Sequence, residues 1–189
     1  MLEWEYMKIM DEQDIKNRIL DISDQIIYKN KDIQKVALVG IKTRGLPFAQ
    51  RLADVTFKKT EFKIPVGGLD ITLYRDDLTL VPKSTVSLYE INRPVVKKTE
   101  IDFDTYNKNI ILVDDVLFTG RTIKSAMDAI MDFGRPKTIQ LAVLIDRGLR
   151  ELPIQADYMG KKIQTKIGQV IQVKLKEIDG VDEVLLEGE

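Results

Sequence analysis

The chain reads as an α/β protein with a mostly parallel central sheet flanked by helices, and three observations predict this class. Short apolar runs rich in β-branched residues alternate with segments of helical periodicity, as in strands joined by crossover helices. Within the runs apolar residues stand side by side instead of alternating with polar ones, as strands covered on both faces require. Polar motifs then follow directly on several runs, and ligands of open parallel sheets gather at the carboxyl ends of strands.

Each element can be justified in chain order. Met1 to Met10, with Trp4 and Tyr6, is a docking strand or a frayed start. Residues 12–30 carry Ile15, Ile19, Ile22 and Ile26 on one face of a helix. Val36 to Val39 is a strand, Ile41-Lys-Thr-Arg-Gly45 a loop, and Leu46, Ala49, Leu52 and Ala53 mark a second helix. Leu69 to Leu73 resembles another buried strand, leading into Tyr74, Arg75, Asp76 and Asp77. Residues 78–107 mix Pro82, Pro94, paired lysines and β-branched residues, which predicts a projecting hairpin or mobile loop. Ile110 to Val113 is a buried strand, and Ile123, Ala126, Met127, Ile130 and Phe133 give a helix with Gly134 as its stop. Thr138 to Ile145 is the next strand, and Ala156–Met159, Val170–Leu175 and Val184–Leu186 are further short ones. No repeat or low-complexity tract interrupts them.

Composition narrows the chemistry. At 189 residues, 44% hydrophobic and 31% charged, the chain can bury one substantial core, so a single domain over 1–189 is expected. No apolar run approaches the roughly 18 residues of a membrane span. The acidic start Met1-Leu-Glu-Trp-Glu5 lacks the basic segment of a signal peptide, and a cytoplasmic location follows as an expectation. Cysteine and histidine are both absent, which excludes disulfides, thiolate nucleophiles, imidazole catalysis and Cys or His metal sites. Carboxylates, Lys, Arg, hydroxyls, backbone amides or a hard metal such as magnesium remain.

The segment from Ile110 to Thr122 is the most informative. Asp114 and Asp115 stand at the carboxyl end of its apolar run, where carboxylates can accept hydrogen bonds from ribose hydroxyls. Val116, Leu117, Phe118, Thr119, Gly120, Arg121 and Thr122 then lead into a helix, and such a loop offers free N–H groups to a phosphate. Together the halves fit a phosphoribosyl group. A Walker B strand or a receiver-domain acidic cluster would share the two acids. The chain has no G-x-x-x-x-G-K-[ST] loop, however, and its acidic strand lies mid-chain. Lys42–Gly45, Arg75–Asp77, Asp114–Thr122 and Asp146–Gly148 each follow an apolar run and are expected to converge on one cleft.

Gly40-Ile-Lys-Thr-Arg-Gly45, Leu69-Asp-Ile-Thr-Leu-Tyr-Arg-Asp-Asp77, Val113 to Thr122 and Asp146-Arg-Gly-Leu-Arg-Glu-Leu-Pro153 resemble, in order, the motifs of the PyrR family of pyrimidine operon attenuators and uracil phosphoribosyltransferases. The likeness runs from about residue 12 to 186. It implies the type I phosphoribosyltransferase fold, with a flexible loop at about 78–107 and a small hood with C-terminal strands over 146–189. It also implies conversion of uracil and phosphoribosyl diphosphate to UMP and pyrophosphate with Mg2+. On this resemblance Asp114 and Asp115 bind the ribose, Thr119 to Thr122 the 5′-phosphate, and Lys42, Thr43, Arg44 and Gly45 the pyrophosphate. Arg75, Asp76 and Asp77 begin a closing loop. The base lies near Arg147 and Tyr158, Met159 and Gly160. Asp114, Asp115, Arg44 and Arg75 are the catalytic candidates, and no metal ligand is assigned. Phe118 stands where related purine enzymes place an acid facing purine N7, which is compatible with a pyrimidine.

A homodimer or homotetramer and a pyr mRNA leader are the further partners the resemblance implies. The RNA-contacting positions on the first helix and after Asp-Arg-Gly hold Leu20, Asp21, Asp24 and Leu149 here. Between Asp11 and Asn30 there are five acids (11, 12, 14, 21, 24) and three bases (16, 18, 29), a net of −2. Phosphate binding depends on Lys and Arg, so this helix argues against RNA binding through that face. A purine phosphoribosyltransferase and an attenuator with little catalysis are the alternative readings.

Overall fold

The computed structural model describes residues 6–71 and 99–188. Its elements, in order, are β1 (Tyr6–Met10), α1 (Glu12–Lys29), a 3-10 turn (Ile33–Lys35), β2 (Val36–Ile41), α2 (Gly45–Thr60), β3 (Val66–Leu69), β4 (Asn109–Leu117), α3 (Arg121–Asp132), β5 (Thr138–Asp146), β6 (Tyr158–Lys162), β7 (Val170–Lys174), α4 (Lys176–Asp179) and β8 (Glu183–Glu187). Five strands form a sheet in the order β3-β2-β4-β5-β6, every pair parallel. A second, antiparallel sheet has the order β1-β8-β7.

Sequence patterns account for the layers. Along β4, Ile111 and Val113 face a core shared with α1 and α2, while Ile110 and Leu112 face a second core against α3. Both faces are therefore covered, which is why the run is apolar throughout. Ile15, Ile19, Ile22 and Ile26 of α1 are all buried, each contributing about 1.5–3 kcal/mol. A reciprocal cap starts α1: Asp14 N–H donates to the Asp11 carboxylate at 2.8 Å and Asp11 N–H to that of Asp14 at 3.2 Å. Helix α3 ends on schedule, with Phe133 as its cap and Gly134 beyond at φ 153°.

The fold differs from the expectations in three places and decides between two readings in a fourth. The strand expected at Leu69–Leu73 is Val66–Leu69, with Asp70 and Ile71 already outside it and residues 72 and 73 outside the described residues. Residues 99–107 do not project: Glu100 exchanges 2.8 Å backbone hydrogen bonds with Gly68, and Ile101 and Phe103 pack against the α3-side core. Of the two readings of the first ten residues, the docking strand holds for residues 6–10, since β1 pairs with β8 and the small sheet draws strands from both parts of the sequence. Finally β6, expected within the hood, belongs to the main sheet beside β5. Arg75, Asp76, Asp77 and residues 78–98 lie outside the described residues.

Candidate active site

Two glycines set the geometry of the site. A Cβ on Gly45, the first residue of α2, would collide with the Val113 carbonyl of β4; one on Gly40 would meet the Leu46 Cα and, at 2.5 Å, the Gly45 carbonyl. Without side chains there, α2 starts directly against the sheet and draws the Lys42–Arg44 turn over β4. A cavity of about 340 Å³ results, lined by Lys42, Thr43 and Arg44 after β2, Asp70 and Ile71 after β3, Asp114, Asp115 and Val116 on β4, and Thr122 in α3. Larger hollows of about 780 Å³ beside α2 and β3, and about 540 Å³ between α1 and α2, contain none of these groups. Chemistry, not size, selects the smaller cavity.

Asp114 and Asp115 lie within β4, which continues to Leu117, and not at its end as the apolar run implied. Asp114 is buried at 7% exposure and accepts the Asp115 N–H at 3.0 Å, while Asp115 accepts the Val116 N–H at 2.9 Å. Burial, then the neighbouring Asp115 charge, pushes the Asp114 carboxyl well above the usual carboxylate range. Burial also raises Asp115, against the lowering effects of the Asp114 hydrogen bond, the Val116 N–H and the Arg44 charge. The pair thus holds a proton more tightly than a lone carboxylate in water would. Cations surround it: Lys42 lies 3.4 Å from Glu100, and Arg44 forms a bidentate pair with Asp179 at 3.0 and 2.7 Å. Asp179, Glu100 and Asp70 are the site neighbours that sequence reasoning missed.

With Val116 and Leu117 in the strand, the turn before α3 shortens to Phe118, Thr119 and Gly120. The Leu117 side chain is buried and cannot face a ligand. Gly120, at φ 93°, caps α3, and no acid occupies the first turn, which holds Arg121 and Thr122. Backbone N–H groups there suit an anion. Arg121 pairs with Glu151 at 2.6 Å. The organiser of the turn is Arg150, which the Asp-Arg-Gly-Leu-Arg motif contained without a role. Its guanidinium donates to the Phe118, Gly148 and Ile154 carbonyls at 2.7, 3.0 and 2.9 Å, and pairs with Asp146 at 2.6 Å.

The residues expected to hold a base separate into two groups. Arg147 lies at the carboxyl ends of the strands, its N–H donating to the Leu117 carbonyl at 3.1 Å: its guanidinium stacks 4.0 Å from the Phe118 ring centroid and donates to Thr165 Oγ1 at 3.1 Å and the Gln169 carbonyl at 2.7 Å. Tyr158 does not. It pairs with Ala142, four positions before the cleft-side Asp146, and its hydroxyl joins Asn30 and Gln140 at 2.9 and 2.8 Å toward the opposite end of the sheet. Met159 follows it, and a Cβ on Gly160 would press on Arg18 of α1 at 3.1 Å. The parallel register therefore leaves only Tyr158 directed away from the cleft: Met159 is level with Val143 and, through it, with Asp114 of β4, and Lys162 lies opposite Asp146.

Comparison with known proteins shows the family and the fold. The model of the phosphoribosyl transferase domain matches residues 6–178. A relative from Thermoanaerobacter sp. strain X514, named Bifunctional protein PyrR, is 50% identical over 179 residues, covering 95% of this chain and 96% of its own. The protein of the same name from Clostridioides difficile is 49% identical, covering 96% and 98%. Among solved structures, the hypoxanthine phosphoribosyltransferase of Trypanosoma cruzi superposes with a TM-score of 0.68 at 17% identity, covering 96% of this chain and 97% of its own. That of Staphylococcus aureus gives 0.64 at 22%, covering 94% and 90%. At these identities the structural likeness speaks for the fold, which is that of the type I phosphoribosyltransferases.

Proposed function

The chain belongs to the phosphoribosyl transferase domain family, in its PyrR branch, and on that premise we propose that it converts uracil and phosphoribosyl diphosphate to UMP and pyrophosphate. One observation carries the reading: a carboxylate pair, Asp114 buried and Asp115 half-buried, shares a small cavity with Lys42, Arg44 and the first turn of an acid-free helix N-terminus. In the reaction a bond forms between uracil N1, which gives up its proton to solvent, and the ribose anomeric carbon. The bond from that carbon to the pyrophosphate oxygen breaks, and the electron pair leaves with pyrophosphate. Positive charge grows on the ribose beside Asp114 and Asp115, which accept its hydroxyls. Negative charge grows on the leaving group, which Lys42, Thr43, Arg44 and the Gly45 amide receive. The 5′-phosphate is held by the amides and hydroxyls of Thr119, Gly120, Arg121 and Thr122. Arg147, stacked on Phe118, stands on the base side.

The lining also fits magnesium. Asp70, Asp114 and Asp115 offer hard oxygen donors, yet the described residues contain no cluster of three or more acids, His or Cys able to hold a metal. Asp114 and Asp115 would hold the ion together with substrate phosphates and water, and it would neutralise the departing pyrophosphate. The reading extends to a cytoplasmic homo-oligomer. No helix among the described residues is long and apolar enough to cross a membrane.

The test is UMP formation by Asp115→Asn and Arg44→Ala. Each should lose at least about tenfold in turnover efficiency, the equivalent of 1.4 kcal/mol of transition-state stabilisation. Activity within twofold of the parent in both would overturn the site assignment.

A further inference from the structure

Helix α4, near the end of the sequence, reaches a cavity residue through Asp179. Asp179, the last residue of α4, takes Arg44 Nε at 3.0 Å on one carboxylate oxygen and Nη2 at 2.7 Å on the other, a fork that fixes the guanidinium plane. The acid is itself held, because its Oδ2 also accepts the Leu175 N–H at 2.9 Å. Its side chain is 17% exposed against 34% for Arg44. An arginine has five N–H donors, and this fork engages only the Nε and one Nη2 hydrogen. The Nη1 edge is turned away from Asp179, and Arg44 lines the cavity that holds Asp114 and Asp115.

We infer that Asp179 is a positioning residue, which grips Arg44 by its Nε–Nη2 edge and presents the remaining donors to the pyrophosphate group of the substrate. The inference rests on the reading of Arg44 as a pyrophosphate ligand. Its physical content is pre-organisation: a long side chain already fixed loses less rotamer freedom when the substrate binds. The charges agree, since the hydrogen bond to Asp179 raises Arg44 and the same bond lowers Asp179. Such a carboxylate also offers a contrasting role, as an internal anion that masks Arg44 until substrate displaces it. The fork leaves donors over, and so favours positioning.

Neighbouring contacts supply the control. Arg51, further along α2, holds Glu177 and Asp182 and so anchors the same short helix without touching the cavity. Steady-state kinetics on the full chain with magnesium should therefore compare Asp179→Asn, Asp179→Ala, Glu177→Gln and Arg44→Ala, with melting temperatures for each. The Asp179 variants should raise the KM for phosphoribosyl diphosphate, and the inhibition constant of pyrophosphate, by about five- to tenfold. Their kcat and their KM for uracil should stay within twofold, and Asn should be milder than Ala because it keeps an acceptor. Glu177→Gln should leave the diphosphate KM unchanged. An unchanged or lower diphosphate KM in the Asp179 variants, or an equal rise in Glu177→Gln, would overturn positioning; the lower value would mark Asp179 as a mask. If Arg44→Ala itself leaves that KM unmoved, the reading of Arg44 fails instead.

Discussion

Asp114 shows how a functional residue sets itself against stability. Burial and the Asp115 charge raise its folded-state pKa above the unfolded value, so the folded protein binds the extra proton between those two values. Stability from this group is therefore greatest at low pH and is lost as pH rises through the folded pKa. Asp114→Asn removes the charge yet keeps an oxygen for the Asp115 N–H. At pH 9 the variant should melt several degrees above the parent, 1 kcal/mol being worth roughly 2–4 °C at this size, and the gap should close on acidification. Its turnover should nevertheless fall at least about tenfold. Melting below the parent at pH 9 would show that the buried charge is stabilised by a partner and not penalised. Residues of this kind were legible in the sequence because their type and place were both unusual: two acids directly after an apolar run. Asp179 was not legible, since it lies 135 residues from Arg44 and nothing local marks it. Tyr158 misled for a related reason, because a strand's sequence does not reveal which end of the sheet its residues reach.

At the scale of elements, periodicity identified α1, α3, β2 and β5 to within a few residues, and only the first half of α2, which runs on past Ala53 to Thr60. It placed the end of β4 too early, for a strand whose last turns carry acids does not look apolar even where the backbone pairing continues to Leu117. The short α4 and the 3-10 turn are too brief to carry a period. The contact between α2 and β4 is the element interface on which the site depends most. A methyl on Gly45 would be driven into the Val113 carbonyl, a backbone atom that cannot rotate away. Gly45→Ala is expected to lose about 2 kcal/mol or more in urea unfolding, in the range of overpacked cores. Activity should fall with it, because the Lys42–Arg44 turn must lift. A stable variant with parental activity would show that α2 can shift without consequence.

Over the whole molecule, one parallel sheet gathers the strand ends and a small antiparallel sheet closes beside them, joined through Arg44, Arg51 and Arg147. The sequence announced the first and only part of the second, since its β1 strand comes from the other end of the chain. The outer face of α1 bears on the mRNA partner that the resemblance of the sequence motifs implies. Asp21 pairs there with Arg18 and Asp24 with Lys59 of α2, so two nearby cations are already engaged by acids. Filter binding of a pyr leader RNA with UMP should accordingly be weak and unaltered by Arg18→Ala. Tight UMP-dependent binding lost in that variant would place the RNA on α1 after all. The central claim is tested most directly by incubating the protein with phosphoribosyl diphosphate and magnesium, and with uracil, hypoxanthine, guanine or xanthine in turn. Efficient UMP formation from uracil, with no comparable nucleotide from the three purines, is the expected result; nucleotide formed from a purine in preference to uracil would contradict the account.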